Sequence, residues 1–184
     1  MKEQPDGRRL TLQLPLSTLV VLFIKNLLFT VLVPGVVAVY VPFRLATSAF
    51  QTIRSPWGGW QLSAVLPLLV GAAIYGWCLW DFAVRGRGTP APIDAPKHLV
   101  VAGLYRYIRN PMYVGVLLVI FGWAIFFRSR DILIYGAVAA LVFHFVVILV
   151  EEPMLRAKFG DQYRLYCGAV GRWVPRFGRK KPAK

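Results

Sequence analysis

Residues 109–153 read RNPMYVGVLLVIFGWAIFFRSRDILIYGAVAALVFHFVVILVEEP, two apolar runs separated by Arg128-Ser129-Arg130-Asp131. So short a separation predicts two antiparallel helices joined by a turn of about four residues. The hairpin then places Arg109-Asn110-Pro111-Met112-Tyr113 beside Glu151-Glu152-Pro153 at one end. Ionisable groups at the edge of an apolar helix are costly to bury, so they indicate a functional site.

The composition indicates a membrane protein. The 184 residues are 57% hydrophobic, with a mean hydropathy of +0.56, which exceeds what a soluble domain of this size can bury. Four apolar runs approach the ~20 residues that cross a bilayer as a helix: 16–43, 62–84, 112–127 and 132–150. We therefore predict an all-α integral membrane bundle of four transmembrane helices. A turn at Lys25-Asn26 would give five, but a single first span is favoured.

The positive charge predicts the topology. Leaving Lys25 aside, alternate segments between the spans hold 17 and 4 lysines and arginines. The positive-inside rule then places both termini and the active site on the cytoplasmic side, which we expect to be that of a bacterial inner membrane. The net charge of +14 follows the membrane ends, so we expect anionic lipid headgroups as partners and no nucleic acid. The oligomeric state stays open.

The chain divides into three parts. Residues 1–96 form a scaffold with two spans and a Gly/Pro-rich cytoplasmic loop, 97–177 hold the last two spans and an amphipathic tail, and 178–184 form a basic, disordered tail. In the amphipathic tail, Leu155, Phe159, Tyr163 and Tyr166 recur at helical spacing. Two cysteines and two histidines, without a cluster, give no plausible metal site.

The hairpin ends carry complementary groups. Pro111 favours a helix start, which places Arg109 and Asn110 where free N–H groups attract an anion. Glu151 and Glu152 would point about 100° apart, so that one faces a cleft while the other faces headgroups or a basic partner such as Arg156. His144, about two turns earlier, is either a packed, hydrogen-bonded residue or a catalytic one, and packing is favoured.

A family resemblance rests on the order and spacing of motifs within residues 97–177. These are Gly103 to Gly115, reading GLYRYIRNPMYVG, then Glu151-Glu152-Pro153-Met154-Leu155, residues 159–166 reading FGDQYRLY, and Val174-Pro175. The pattern resembles the isoprenylcysteine carboxyl methyltransferase family, which is also similar to the phospholipid N-methyltransferases. Such a compound pattern is specific to the family but not to one substrate.

The resemblance implies an S-adenosylmethionine-dependent membrane methyltransferase. By matched position it implies that the cofactor is bound by His98, Leu99, Val100, Tyr105, Asn110, Pro111, Tyr113 and Glu151. The chemistry of the residues adds Arg109 as a partner for the cofactor carboxylate, and Glu152 as a general base for an amine acceptor. Two positions depart from the pattern. Asn110 stands where family members often have His, and Val147 replaces an arginine found in enzymes that methylate prenylated cysteine.

The leading hypothesis is therefore methyl transfer from S-adenosylmethionine to a lipophilic molecule that enters from the bilayer. The acceptor could be a phospholipid amine, an isoprenoid thiol or carboxylate, or another hydrophobic small molecule. Two alternatives stay open. One is a membrane reductase of related architecture with a nicotinamide cofactor, although no Gly-rich dinucleotide motif is present. The other is a non-enzymatic membrane protein that binds lipid.

Overall fold

Apolar helices make up most of the computed structural model, which describes residues 21, 24–25, 27–50, 59–83 and 99–176. Helix α1 has a π-helical segment, Val31–Tyr40, followed by an α-helical segment, Val41–Phe50. The other helices are α2 (Gly59–Asp81), α3 (Pro111–Phe127), α4 (Arg130–Val146) and α5 (Glu152–Ala169). A π-helical turn, Val147–Glu151, joins α4 to α5, and a 3-10 turn, Gly103–Arg106, precedes α3. The all-α prediction is confirmed, since these residues contain no strand.

Three helical stretches are long and apolar enough to cross a membrane: Leu27–Ala46, Gly59–Asp81 and Arg130–Ala169. The prediction of an integral membrane protein is thereby confirmed. α3 is equally apolar but has 17 residues, at the short limit for a span, so the number of four stays a prediction. Asn26, residues 1–20 and the predicted basic tail at 178–184 lie outside the described residues.

α2 and α3 pack through glycines. A Cβ atom on Gly71 would lie 2.6 Å from the Gly115 carbonyl oxygen, and one on Gly115 would lie 2.9 Å from the Gly71 carbonyl oxygen. Gly122 faces Leu68 of α2 in the same way. Small residues allow helix backbones to approach this closely in a membrane. The glycines of α3 therefore serve close helix packing.

The α3–α4 turn is tighter than predicted. Arg128 has a left-handed backbone conformation, with φ of 48°, and ends α3. Ser129 caps α4, because its hydroxyl accepts a hydrogen bond from the Ile132 N–H at 3.3 Å. Arg130 and Asp131 are already helical, so two residues make the turn and not four. The helix start at Pro111 is confirmed.

α1 leaves a space beside α4. Pro34 has no N–H to donate to the helical ladder, and the surrounding segment has π-helical hydrogen bonding. Both segments of α1 contact α3, whereas close packing on α4 comes from its α-helical half. The π-helical segment contacts α4 through the Tyr135 hydroxyl, which donates to the Val37 carbonyl at 2.8 Å. A cavity lies between this segment and the end of α4, and both elements line it.

Candidate active site at the end of the hairpin

The cavity has a volume of about 320 Å³, which is within the range of small-molecule sites. Its walls come from α1, α2, α3, α4, α5 and the segment before α3. The polar lining residues form one group, the charged end, in which Arg109 contacts Glu152 and Tyr113 contacts Glu151; the group is Arg109, Asn110, Tyr113, Glu151, Glu152 and Tyr163. The apolar part of the lining includes Phe29, Val33, Val37, Val116, Phe143 and Val147. Such a space suits a ligand pair in which one partner is charged and the other is lipophilic.

The π-helical turn brings both carboxylates to the cavity. Pro153 has no N–H, and the Glu152 N–H donates to the Val147 carbonyl, five residues earlier. The ladder therefore contains a π bulge, a feature that occurs frequently at functional sites. Glu151 and Glu152 consequently both line the cavity, although they are adjacent in sequence.

Glu151 is bound to one neutral donor. The Tyr113 hydroxyl of α3 donates a hydrogen bond to its Oε1 atom. The Tyr113 ring lies 4.7 Å from the Phe143 ring and 6.3 Å from the Trp173 ring, between centroids. These aromatic contacts fix the tyrosine, which in turn fixes Glu151 on the side of the cavity. The predicted meeting of the two hairpin ends is confirmed by this hydrogen bond.

Glu152 is surrounded by three guanidinium groups. Its Oε1 atom lies 3.1 Å from Nη1 of Arg109 and 2.6 Å from Nε of Arg172, and its Oε2 atom lies 3.2 Å from Nη2 of Arg156. We name these four residues the arginine clamp. Glu152 and Arg109 are buried, whereas Arg156 is largely exposed. The hydrogen bond from Arg172 to the Glu152 carboxylate raises the pKa of the arginine.

The segment after α5, residues 170–176, crosses the start of α3, and we name it the C-terminal strap. The Arg109 N–H donates to the Gly171 carbonyl at 2.8 Å, and the Asn110 side-chain amide donates to the Arg172 carbonyl at 3.3 Å. Gly171 has no room for a side chain, because the Val174 carbonyl lies against it. Arg172 therefore reaches Glu152 from a backbone held in place at the helix start.

The segment before α3 closes the cavity from another side. Tyr105 is buried, and its carbonyl accepts a hydrogen bond from the Tyr166 hydroxyl at 2.7 Å. Burial raises the pKa of the Tyr105 hydroxyl well above its ordinary value, so this side chain is neutral at physiological pH. Leu99 and Val100 line the same wall.

The family model described as phospholipid methyltransferase matches residues 60–162, more than half of the chain. The chain belongs to this family. The matched region of this phospholipid methyltransferase family member holds α2, α3, α4 and both carboxylates. Tyr163, Tyr166 and the C-terminal strap follow it.

Three curated relatives are similar to this family member. A phosphatidylethanolamine N-methyltransferase of Laccaria bicolor is 30% identical over 53% of the chain. A methanethiol S-methyltransferase of Bradyrhizobium diazoefficiens is 35% identical over 39% of the chain. A protein-S-isoprenylcysteine O-methyltransferase of Schizosaccharomyces pombe is 34% identical over 42% of the chain. The chain spans 10%, 24% and 33% of the lengths of these relatives. The names share methyl transfer and differ in the acceptor and the atom methylated.

The structure brings together most of the residues that the sequence assigned to the site. The cavity is lined by Leu99, Val100, Tyr105, Arg109, Asn110, Tyr113, Glu151 and Glu152. Pro111 is fully buried and starts α3 without lining the cavity, and His98 lies outside the described residues. The binding and catalytic roles of all these residues stay predictions.

Sequence reasoning missed Arg172 and Trp173. Arg172 lies 20 residues after Glu152, so no helical periodicity links the two positions. The available signal was chemical, because a paired carboxylate at a membrane edge requires cationic partners and Arg172 lies in the same tail. A second signal was Gly171, since a glycine permits the close backbone contact that allows the next residue, Arg172, to reach Glu152.

Proposed function

We propose that the chain is an S-adenosylmethionine-dependent methyltransferase whose acceptor is lipophilic. The observation that carries the proposal is one cavity whose lining combines a group of charged and polar residues with apolar side chains. Membership of the phospholipid methyltransferase family and three relatives named as methyltransferases support it.

The charged end fits the polar groups of S-adenosylmethionine. Arg109 is buried, and its Nε atom has no hydrogen-bond partner among the described residues. α3 begins beside it without a side-chain cap, so its first N–H groups add positive potential. Together they would hold the cofactor carboxylate. Glu151 would accept hydrogen bonds from the ammonium group or the ribose hydroxyls.

The protein contributes positioning and exclusion of water. The cofactor supplies an electrophilic methyl group on its sulfonium sulfur, and transfer is an in-line displacement. The arginine clamp and Tyr113 hold the charged end in place, while the apolar wall of α1 and α4 keeps water from the reacting atoms. A fixed geometry of this kind can provide a large part of the rate enhancement of a displacement.

The acceptor enters from the bilayer. The apolar lining of the cavity comes in part from the π-helical segment of α1 and the end of α4, and Val33 of that segment is also exposed on the outer surface. The wall residue Val147 is buried and uncharged, so that position provides no cation for an acceptor carboxylate. This favours an amine, a thiol or another neutral lipophilic acceptor. The positive-inside pattern supports cofactor entry from the cytoplasm, beside anionic headgroups.

The proton acceptor is Glu151, which replaces Glu152 in this role. Both Glu152 oxygens accept bonds from arginines, so this carboxylate is committed to the clamp. Glu151 binds only the Tyr113 hydroxyl among the described residues, and it faces the cavity. It would receive the proton from an amine or thiol, directly or through one water molecule.

Calorimetry of S-adenosylmethionine binding to the detergent-purified protein tests the cofactor. We expect saturable binding by the wild type and about tenfold weaker binding by Glu151→Gln, the loss of one charge-assisted hydrogen bond. Asp131→Asn, the same chemical change at the exposed start of α4, should bind like the wild type. Absence of saturable binding by the wild type would overturn the proposal.

A labelling experiment identifies the acceptor chemistry. Membranes containing the protein are incubated with methyl-labelled S-adenosylmethionine and extracted with organic solvent. We expect label in the lipid extract that mild base does not release as volatile methanol, as for an N-methyl or S-methyl product. Release of labelled methanol would indicate a methyl ester and contradict the argument from Val147, and no label in the extract would contradict a lipophilic acceptor.

A further inference from the structure

His144 has a specific partner in the C-terminal strap. The Trp173 indole N–H donates a hydrogen bond to Nδ1 of His144 at 3.0 Å, and the two ring centroids lie 6.2 Å apart. A neutral imidazole that accepts at Nδ1 carries its proton on Nε2. His144 itself does not line the cavity. It is therefore placed to act on the site through Trp173 and not by contact with a ligand.

Trp173 links this histidine to both carboxylates. Its ring packs edge-on against Tyr113, whose hydroxyl donates to Glu151. The preceding residue, Arg172, binds Glu152 through two hydrogen bonds. A shift of the strap at position 173 would consequently move the donor of one carboxylate and loosen a partner of the other.

We propose that His144 is a positioning residue that, through Trp173, holds the C-terminal strap over the site and keeps Tyr113 and Glu151 in the geometry that binds S-adenosylmethionine. The inference rests on the proposed function. Trp173 is half-buried, so losing the acceptor of its indole N–H costs part of a hydrogen bond. His144 is the acceptor that α4 supplies.

The test is S-adenosylmethionine affinity in a set of variants. His144→Ala removes the acceptor, and Trp173→Phe removes the donor while keeping an aromatic ring against Tyr113. We expect each to weaken binding about threefold to tenfold, as for the loss of one neutral hydrogen bond. The double variant should be no weaker than the weaker single variant, because both changes remove the same interaction.

His144→Asn separates positioning from packing. Its amide oxygen can accept the hydrogen bond from the Trp173 N–H, so we expect an affinity within about twofold of the wild type. If His144 acted only through the packing of its ring, Asn would not restore the affinity. Val142→Ala, at an exposed position two residues earlier on α4, is the matched control and should leave affinity unchanged. Trp173→Phe keeps the test valid if His144→Ala does not fold.

The outcomes separate the two proposals. If the wild type does not bind S-adenosylmethionine, the proposed function fails and this inference fails with it. If the wild type binds and Trp173→Phe binds equally well, the inference alone is wrong. It is also wrong if His144→Asn is as weak as His144→Ala, or if the single effects add fully in the double variant.

Discussion

Glu151 and Glu152 are adjacent in sequence but lie in opposite electrostatic surroundings. Glu152 is 3% exposed and is held by the arginine clamp, in which three guanidinium groups meet one carboxylate. Glu151 faces the cavity and, among the described residues, binds one neutral tyrosine hydroxyl. The Glu152 carboxylate is saturated by cations of the protein, whereas the Glu151 carboxylate has hydrogen-bonding capacity left for a ligand.

One helical turn can carry a carboxylate that serves stability beside another that is available to a ligand. A buried charge is tolerated when oppositely charged groups surround it, so Glu152 can fix the start of α3, the start of α5 and the strap relative to one another. Glu151 is carried on the same π-helical turn and inherits that fixed position. Changes at the two carboxylates should therefore affect different properties of the protein.

The largest effect on stability is expected for Glu152→Gln. The substitution keeps the shape of the side chain but leaves the buried Arg109 guanidinium without a counter-charge. We expect a loss of about 3 kcal/mol in the free energy of unfolding, since breaking a buried ion pair by removing one partner costs this much. The measurement is reversible unfolding in mixed detergent micelles. A loss below about 1 kcal/mol would show that the clamp does not hold the structure together.

Arg172→Ala should have an intermediate effect of about 1 to 2 kcal/mol on the free energy of unfolding. It removes two charged hydrogen bonds to Glu152, but its side chain is 30% exposed, so solvent replaces part of the lost interaction. Arg109 remains paired with Glu152 in this variant. The same unfolding assay measures it, with Arg164→Ala, an exposed arginine on α5, as the control. An effect equal to that of Glu152→Gln would contradict the ranking within the clamp.

The contrast between the two carboxylates was predicted in outline from local sequence. Adjacent residues on a helix point in different directions, so one was expected to face a cleft and the other a basic partner. Pro111 and the short separation of the two apolar runs at residues 128–131 made the hairpin and the meeting of its ends predictable. These features depend on residues close together in the chain, for which spacing and helix-start preferences are informative.

The remaining part of the site depends on contacts that sequence spacing does not encode. Arg172 reaches Glu152 because the strap turns back after α5, and Trp173 reaches His144 across 29 positions. The π-helical turn was not predicted, because the apolar run 132–150 does not distinguish α-helical from π-helical hydrogen bonding, and the structure has a five-residue hydrogen bond from the Glu152 N–H to the Val147 carbonyl. The role of Glu152 as a general base stays a prediction, and its contact with Arg172 is the feature of its surroundings that sequence spacing does not indicate.

Glu151→Gln should change the free energy of unfolding by less than about 1 kcal/mol, although we expect it to weaken S-adenosylmethionine binding. The amide oxygen of Gln can still accept the Tyr113 hydroxyl, and no cation among the described residues bonds to this carboxylate. Loss of its charge therefore leaves no buried group unpaired. Unfolding is measured without ligand, beside Glu152→Gln. Equal destabilisation by the two substitutions would abolish the distinction between them.

Arg156→Ala should have the smallest effect, less than about 0.5 kcal/mol in the free energy of unfolding. Like Arg172 it contacts a Glu152 oxygen, but its side chain is 59% exposed and its partner lies one helical turn away on α5. An exposed pair at this spacing contributes little, because water and salt screen the attraction and the long side chain must be ordered. The effect should shrink further at high salt, whereas that of Glu152→Gln should persist because its charges are buried. A loss comparable to that for Arg172→Ala would mean that exposure does not rank the arginines of the clamp, and that each contributes through its charge alone.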